Sequence, residues 1–210
     1  QVCREVVSQE SYIAEVSKKE ALADLANITN KLKAQGQITK AFQALEKARL
    51  KNPADPALLA RVREICTPCG VGDFVDELTS LANIGLGSTI FAVKPGDGSA
   101  REQAASCQKV LGGWANLAVE YATKRYRSNL INWGMLPFIV DASLADSLKV
   151  GDWLVVPNVR SAVQNADPTF TGYVATEGGQ AQQISLALKE LTSDERKIIL
   201  DGCLINFYKH

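Results

Sequence analysis

The sequence predicts an α/β domain of layered strands and helices, preceded by an all-helical segment. The chain has 210 residues, enough to bury a large core. Hydrophobic residues make up 46% and charged residues 22%, as in ordinary globular proteins. Residues 1–65 hold only one of the 15 glycines, and β-rich runs begin after Cys66. We therefore predict a helical segment over residues 1–65 and the α/β domain over residues 66–210.

The helical segment is predicted by apolar residues at helical spacing. They form two sets, Ile38, Phe42, Leu45 and Ala48, followed by Leu58, Leu59, Val62 and Ile65. Asp55 is a good N-cap and Pro56 suits a first helical position, so the second helix should begin there. The stretch GQITKAFQALEKARLKNPADPALLARV resembles a tetratricopeptide unit. Because no second copy follows, we predict a hairpin that packs on the main domain or contacts a partner.

The α/β domain is predicted from short β-rich runs between glycine, proline and aspartate turns. The runs are residues 88–93, 138–140, 153–156, 170–174 and 183–188, with a further strand near Phe74. Val110, Trp114, Leu117 and Tyr121 fall on one helical stripe, which predicts a long helix lying on the sheet. A final helix should be capped by Thr192 or Ser193 and end before Gly202. We expect strands and helices to be mixed rather than strictly alternating.

Composition excludes several functions. Lysine and arginine number 23, equal to aspartate and glutamate, which argues against a polybasic nucleic-acid binder. The single histidine, His210, is the last residue, so catalysis by Ser-His-Asp or Cys-His groups has no base within the fold. No apolar run approaches the ~20 residues of a membrane span, and the first residues lack the apolar core of a signal peptide. Because the chain does not begin with Met, we expect a fragment of a longer protein.

The five cysteines are odd in number and widely spaced, which suits a reducing compartment and predicts a cytoplasmic protein. Cys66 and Cys69 form a CxxC pair, which is compatible with a redox site or half of a metal site. Without a second pair or a usable histidine, we favour two thiols in a turn and predict no metal site. Cys3, Cys107 and Cys203 are predicted to be packing residues.

The segment GDGSAREQ combines a glycine turn with the start of a helix. Ser99 and Glu102 have the spacing of a capping box, in which the serine is simply an N-cap. The same geometry exposes N–H groups and the positive end of the helix dipole, a favourable site for a carboxylate. Arg101 opposes that dipole, so its presence is better explained if its guanidinium faces an anion.

GDGSAREQAA and the later YATKRYRSNLINWGMLPF together resemble two motifs of the aconitase family's C-terminal swivelling domain. LKVGDWLVV fits the turn into that domain's next strand, so the resemblance covers about residues 88–156. Bacterial hydratase members are the most similar. The predicted fold class is therefore an α/β swivelling domain of aconitase type.

The resemblance implies reversible dehydration of a hydroxy di- or tricarboxylic acid. It places the proton-abstracting base on Ser99 and a substrate-carboxylate ligand on Arg101, with Gly98 and Ala100 in the substrate-binding loop. It also implies a [4Fe-4S] cluster in the full-length enzyme, held by partner domains, so this chain alone should bind no cluster and be inactive. Ala100 and Gln103 replace a serine and a histidine of the family motif. They leave open a non-catalytic interaction protein with a helical partner-binding segment.

Three basic residues near the second motif have two interpretations. Lys124, Arg125 and Arg127 can form a patch that reaches a carboxylate or another domain. We favour a position at the C-terminal end of the long helix, where cations suit the negative end of the dipole.

Overall fold

The computed structural model describes residues 47–67, 80–148, 152–175 and 181–209. Residues 47–51 are helical. The helices are α1 (Pro56–Cys66), α2 (Arg101–Val110), α3 (Lys124–Asn132), α4 (Val159–Asn165), α5 (Ser193–Leu200) and α6 (Leu204–Phe207), with a 3-10 turn at Ala142–Ala145. None of these described helices has the length and apolar character needed to cross a bilayer. The helices predicted before residue 47 and the strand predicted near Phe74 lie outside the described residues.

Within the described part of the chain, six strands form one sheet in the order β1-β2-β3-β6-β5-β4. They are β1 (Ser88–Ala92), β2 (Gly113–Ala118), β3 (Leu136–Ile139), β4 (Trp153–Val155), β5 (Thr169–Ala175) and β6 (Gln182–Ala187). The first three strands are parallel to one another, whereas β4, β5 and β6 are antiparallel. A single residue pair, Ile139 with Ala187, joins β3 to β6. The sheet thus mixes both pairings, and the predicted α/β class is confirmed.

The parallel half has helices because parallel neighbours need a crossover connection. α2 connects β1 to β2, and α3 connects β2 to β3. The two helices pack together through a cluster made of Ala105, Tyr126, Leu130 and Met135. This packing brings the two family-like sequence motifs side by side.

The main core lies between the strands and the C-terminal helices. The rings of Phe138 on β3 and Phe170 on β5 meet edge to face, with centroids 5.5 Å apart. Around them pack buried aliphatic side chains, including Leu117, Val140, Leu144, Val163, Val174, Ile184 and Leu186. The core therefore spans both halves of the sheet.

The start of α1 is as predicted. Oδ1 of Asp55 accepts hydrogen bonds from the N–H groups of Ala57 and Leu58, both at 3.0 Å, and Pro56 is the first helical residue. Leu58, Leu59, Val62 and Cys66 then pack against Leu81, which follows the undescribed residues 68–79. The boundary near Cys66 stays a prediction.

The last long helix is also as predicted. Thr192 caps α5, with Oγ1 accepting from the N–H of Glu195 at 3.2 Å and its own N–H donating to Oε2 of Glu195 at 2.9 Å. Gly202 follows the helix with a φ of +89°, a conformation that favours glycine. The sequence signals were sufficient here because both capping partners are local.

The predicted long helix through Trp114 and Leu117 is wrong. Residues Gly113–Ala118 form β2, the second strand of the sheet, and all except Trp114 are buried. A strand buried on both faces is apolar at nearly every position, so its apolar residues also satisfy a helical stripe. α2 ends at Val110, and Gly112, with a φ of +89°, turns the chain into the strand.

Candidate active site at the start of α2

The loop between β1 and α2 is fixed against the start of α3. The carbonyl oxygen of Gly96 accepts from the Thr123 hydroxyl at 3.1 Å, and that of Pro95 accepts from the Ala122 N–H at 2.9 Å. Gly96 has a φ of +95°, and a Cβ there would lie 2.5 Å from Cβ of Tyr126. The loop therefore requires glycine at position 96, where backbone and ring approach closely.

The Tyr126 side chain beneath this loop belongs to a buried polar cluster. Its hydroxyl accepts from Nε2 of Gln108 at 2.7 Å and from Nδ2 of Asn116 at 3.2 Å. These three residues come from α3, α2 and β2 and are 1–2% exposed. Buried amides need such hydrogen-bond partners. The cluster therefore fixes the Tyr126 side chain, against which the loop packs, in the interior.

Ser99 lies exposed at the end of the loop, and the predicted capping box is wrong. The N-cap of α2 is Ala100, whose carbonyl accepts the first helical hydrogen bond from the Ala104 N–H at 3.0 Å. Among the described residues, the Ser99 hydroxyl has no hydrogen-bond partner. A Cβ at the neighbouring Gly98 would meet no atom within 4 Å, so this side of the loop is open.

Glu102 makes its contacts with α3 instead of with Ser99. Oε1 of Glu102 accepts a hydrogen bond of 2.8 Å from Nε1 of Trp133. The Asn129 amide, oriented to satisfy both of its groups, accepts from the Glu102 N–H at 3.0 Å and donates to the Arg125 carbonyl at 3.2 Å. The sequence analysis missed both α3 residues, because no local signal links positions 31 residues apart.

Arg101 begins α2 and is half-buried. Its Nη2 is 3.4 Å from the Asp97 carbonyl oxygen, a weak hydrogen bond, whereas its Nε is buried and has no partner among the residues that the structure describes. A buried guanidinium N–H without an acceptor costs free energy. An anion bound at this position would satisfy it, as the sequence predicted for Arg101.

The first turn of α2 adds further donors. The N–H groups of Arg101 and Gln103 precede the first intrahelical hydrogen bond, and neither has an acceptor among the described residues. Together with the positive end of the helix dipole, they favour a negatively charged group beside Ser99. The site predicted at residues 98–101 is therefore brought together on one loop and helix start.

The predicted place of the three basic residues is wrong. Lys124 and Arg125 are exposed in the first turn of α3, not at a helix C-terminus. Arg127 donates from Nη2 to the carbonyl oxygens of Lys189 and Glu190 at 2.8 and 3.2 Å, so it fastens α3 to the loop before α5. The error follows from the missed strand β2. The predicted long helix ran through that strand, so these basic residues were placed at the end of a helix and not at the start of α3.

Three other ionisable groups near the loop have altered pKa values. The hydrogen bond from Lys94 to Glu120 raises the pKa of Lys94 and lowers that of Glu120, so both remain charged at neutral pH. Burial raises the pKa of Tyr121 well above its ordinary value, which keeps its hydroxyl protonated 3.4 Å from the Phe138 carbonyl oxygen. The shifts leave Lys94 and Glu120 as an ion pair and Tyr121 as a neutral hydrogen-bond donor.

The cysteines do not form a ligand set for a metal or cluster in the described part of the chain. No group of three His, Cys, Asp or Glu residues able to hold a metal ion occurs there. Cys66 is buried at the end of α1, Cys203 is half-buried, and Cys69 lies outside the described residues. Cys107 is exposed on α2, so its predicted role as a packing residue is wrong.

Comparison with known proteins identifies the family. The family model of the aconitase C-terminal domain matches residues 9–143, which include Ser99, Arg101 and Trp133. The chain belongs to this family, which confirms the resemblance of its two motifs.

The chain is also similar to a protein of known structure. That protein is 3-isopropylmalate dehydratase from Methanocaldococcus jannaschii, whose sequence is 28% identical and whose crystal structure aligns with a TM-score of 0.39. The similarity covers 58% of this chain and 62% of the dehydratase chain, less than two thirds of its length. No curated protein matches the chain.

Proposed function

We propose that this chain is the swivelling domain of an aconitase-type hydro-lyase that reversibly dehydrates a hydroxy di- or tricarboxylic acid. One observation carries the proposal. Within the segment that matches the family, the Ser99 hydroxyl and Nε of Arg101 lie on the same loop and helix start, and neither has a hydrogen-bond partner in the described part of the chain. A base and a carboxylate ligand at this spacing suit proton abstraction beside a carboxylate.

In the proposed reaction Ser99 is the catalytic base. Its Oγ, as an alkoxide, takes a proton from the substrate carbon next to a carboxylate. The electron pair of that C–H bond forms the double bond, and the C–O bond on the neighbouring carbon breaks, so that the hydroxyl leaves as hydroxide with the electron pair of that bond. A serine alkoxide needs electrostatic stabilisation, which the N–H groups of Arg101 and Gln103 can supply together with the Arg101 guanidinium.

Arg101 is the proposed ligand of a substrate carboxylate, since its guanidinium can form two parallel hydrogen bonds with one carboxylate. Gly98 and Ala100 have small or no side chains, so substrate can approach the loop backbone. Ala100 supplies no hydroxyl where the family motif has a serine. We therefore expect one fewer hydrogen bond to substrate and a preference that differs from that of the common family members.

The remaining aconitase-type domains are the proposed partners. The family implies a [4Fe-4S] cluster, and the described residues of this chain do not provide its ligands. We therefore assign the cluster to those domains and expect this chain alone to be inactive. We further propose the division into residues 1–65 and 66–210, and a cytoplasmic location in keeping with the odd number and wide spacing of the five cysteines.

Ser99→Ala in the full-length enzyme tests the proposal. Turnover of a hydroxy tricarboxylate such as citrate should fall by a factor on the order of 10²–10⁴, while KM changes little, because only the proton transfer is lost. Ser106→Ala, on the same helix, is the control and should retain normal turnover. A near-normal rate for Ser99→Ala contradicts the assignment.

The carboxylate role of Arg101 needs its own measurement. Arg101→Lys keeps the charge but loses the planar fork, so KM should rise by about tenfold. If the wild-type full-length protein binds neither citrate nor a dicarboxylate such as malate, the hydro-lyase proposal fails and the interaction protein is favoured. Deleting residues 1–65 should then abolish partner binding in a pull-down.

A further inference from the structure

We infer that Asn129 and Trp133 of α3 are positioning residues that prevent a capping box between Ser99 and Glu102, and so keep the Ser99 hydroxyl free. The sequence Ser-Ala-Arg-Glu fits that box, yet the helix begins one residue later, at Arg101. The inference deepens the proposed function, because a serine hydroxyl engaged as a helix cap cannot also serve as a base.

A capping box needs two hydrogen bonds, and α3 takes up both of the groups that Glu102 would contribute. The first bond would run from the Glu102 N–H to Oγ of Ser99, but Asn129 accepts from that N–H at 3.0 Å. The second would run from the Ser99 N–H to the Glu102 carboxylate, but Trp133 donates to that carboxylate at 2.8 Å. Both halves of the local motif are thus replaced by contacts with one neighbouring helix.

The two α3 residues can hold Glu102 because they are themselves fixed. Trp133 is the C-cap of α3, and its N–H donates to the carbonyl oxygens of Asn129 and Leu130 at 3.3 and 3.2 Å. Its ring packs against the cluster that contains Leu130 and Met135. The Asn129 amide is anchored by its 3.2 Å bond to the Arg125 carbonyl. The α3 surface is therefore a rigid template for the first turn of α2.

The consequence for the site is electrostatic as well as steric. With Glu102 turned toward Trp133, its negative charge is directed away from the Ser99 N–H, where a closed box would place it. A closed box would put a carboxylate next to the Ser99 hydroxyl, where its charge would oppose formation of an alkoxide. Asn129 and Trp133 thus keep the hydroxyl accessible and hold that charge away from it.

A mutant cycle in which Tm is measured without substrate tests the inference. In the wild-type chain Ser99 caps nothing, so Ser99→Ala should shift Tm by less than about 1 °C. In an Asn129→Ala/Trp133→Phe background the box can close, and Ser99→Ala should then lower Tm by about 2–4 °C. An equal shift in both backgrounds overturns the inference, as does a loss of several degrees in the wild type.

NMR provides a second readout on the same proteins. The Cα and Cβ chemical shifts of Ser99 should move to those of an N-cap serine in the Asn129→Ala/Trp133→Phe chain, and unchanged shifts contradict the inference.

If the double variant does not fold, Asn129→Ala alone releases the Glu102 N–H, and the same Tm comparison can be made in that background. Replacing Trp133 by benzothienylalanine keeps the ring volume and removes only the N–H donor.

The full-length enzyme links the inference to activity. Asn129→Ala/Trp133→Phe should lower kcat while leaving KM within about twofold, because Arg101 itself is retained. Failure of the proposed function is recognised separately, since it appears as normal turnover in Ser99→Ala. The stability cycle contains no substrate and decides the positioning role in either case.

Discussion

Gly134 and Gly202 approach each other so closely that a Cβ on Gly134 would lie 1.8 Å from the carbonyl oxygen of Gly202. Gly134 ends α3 with a φ of +67°, and Gly202 follows α5 with a φ of +89°. The contact joins the end of the helix that carries Asn129 and Trp133 to the C-terminal helices. The contact requires glycine at position 134, whereas Gly202 is favoured by its positive φ.

Gly134→Ala should destabilise the domain by about 2–4 kcal/mol, because the new Cβ meets backbone and alanine disfavours a positive φ. Denaturant unfolding measures the change in free energy. Gly98→Ala is the matched control, since a Cβ there meets no atom within 4 Å. Equal stability of the two variants would show that the glycine contact does not constrain the fold.

Tyr126→Phe should cost about 1–3 kcal/mol, because the Gln108 and Asn116 amides lose a hydrogen-bond acceptor in the interior. The ring volume is retained, so the loss can be attributed to the hydroxyl. Tyr208→Phe removes a hydroxyl from a residue that is 77% exposed and should be neutral. Thermal unfolding of the two variants side by side gives the comparison, and a neutral Tyr126→Phe would refute the role of the buried cluster.

Ala100→Ser should stabilise the chain by about 0.5–1 kcal/mol. Alanine is a poor N-cap, and the N–H of Gln103 has no acceptor among the described residues, so a serine hydroxyl at position 100 can satisfy it. Ala100→Val adds volume without an oxygen and should give no gain. The measurement is the denaturant midpoint, and equal midpoints for Ser and Val would contradict a missing cap.

Asp141 should make stability depend on acidic pH. Hydrogen bonds from the hydroxyl and N–H of Ser143 lower the pKa of Asp141 in the folded state, including one of 2.8 Å from the N–H to Oδ1. The unfolded state therefore binds its proton at higher pH. The stabilisation is present above the unfolded-state pKa and is lost as pH falls through the folded-state value.

An NMR titration of the Asp141 carboxyl group measures this shift directly. Ser143→Ala removes the hydroxyl, which is the largest cause, and should move the pKa of Asp141 back toward its ordinary value. Asp141→Asn should remove this part of the pH dependence of unfolding. An Asp141 pKa that is the same in wild type and Ser143→Ala would contradict the assignment.

Sequence signals that act within a few residues predicted the structure well. The caps at Asp55 and Thr192 were predicted because donor and acceptor are neighbours in the chain. Five β-rich runs became strands because short apolar segments between turns have few alternatives. β2 was missed because a strand buried on both faces lacks the alternating pattern that separates strand from helix.

The geometry around the candidate site could not be predicted from the sequence, and its site residues stay a prediction. Ser99 and Arg101 could be singled out from local motif and charge. The actual partners of Glu102 come from α3, and their contacts depend on how two helices pack over the sheet. A capping-box sequence is therefore a local preference, and here tertiary contacts outweigh it.

The sheet has a narrow junction where β3 meets β6, with the single residue pair Ile139 and Ala187. Its parallel half carries Ser99 and Arg101 at the start of the first crossover helix, whereas its antiparallel half carries none of the proposed site residues. Side chains such as Phe138 and Phe170 pack across this junction. Because a single described residue pair joins the two strand ladders, hydrogen exchange should distinguish two cooperative units, with the loop that carries Ser99 belonging to the first and the second acting as its support.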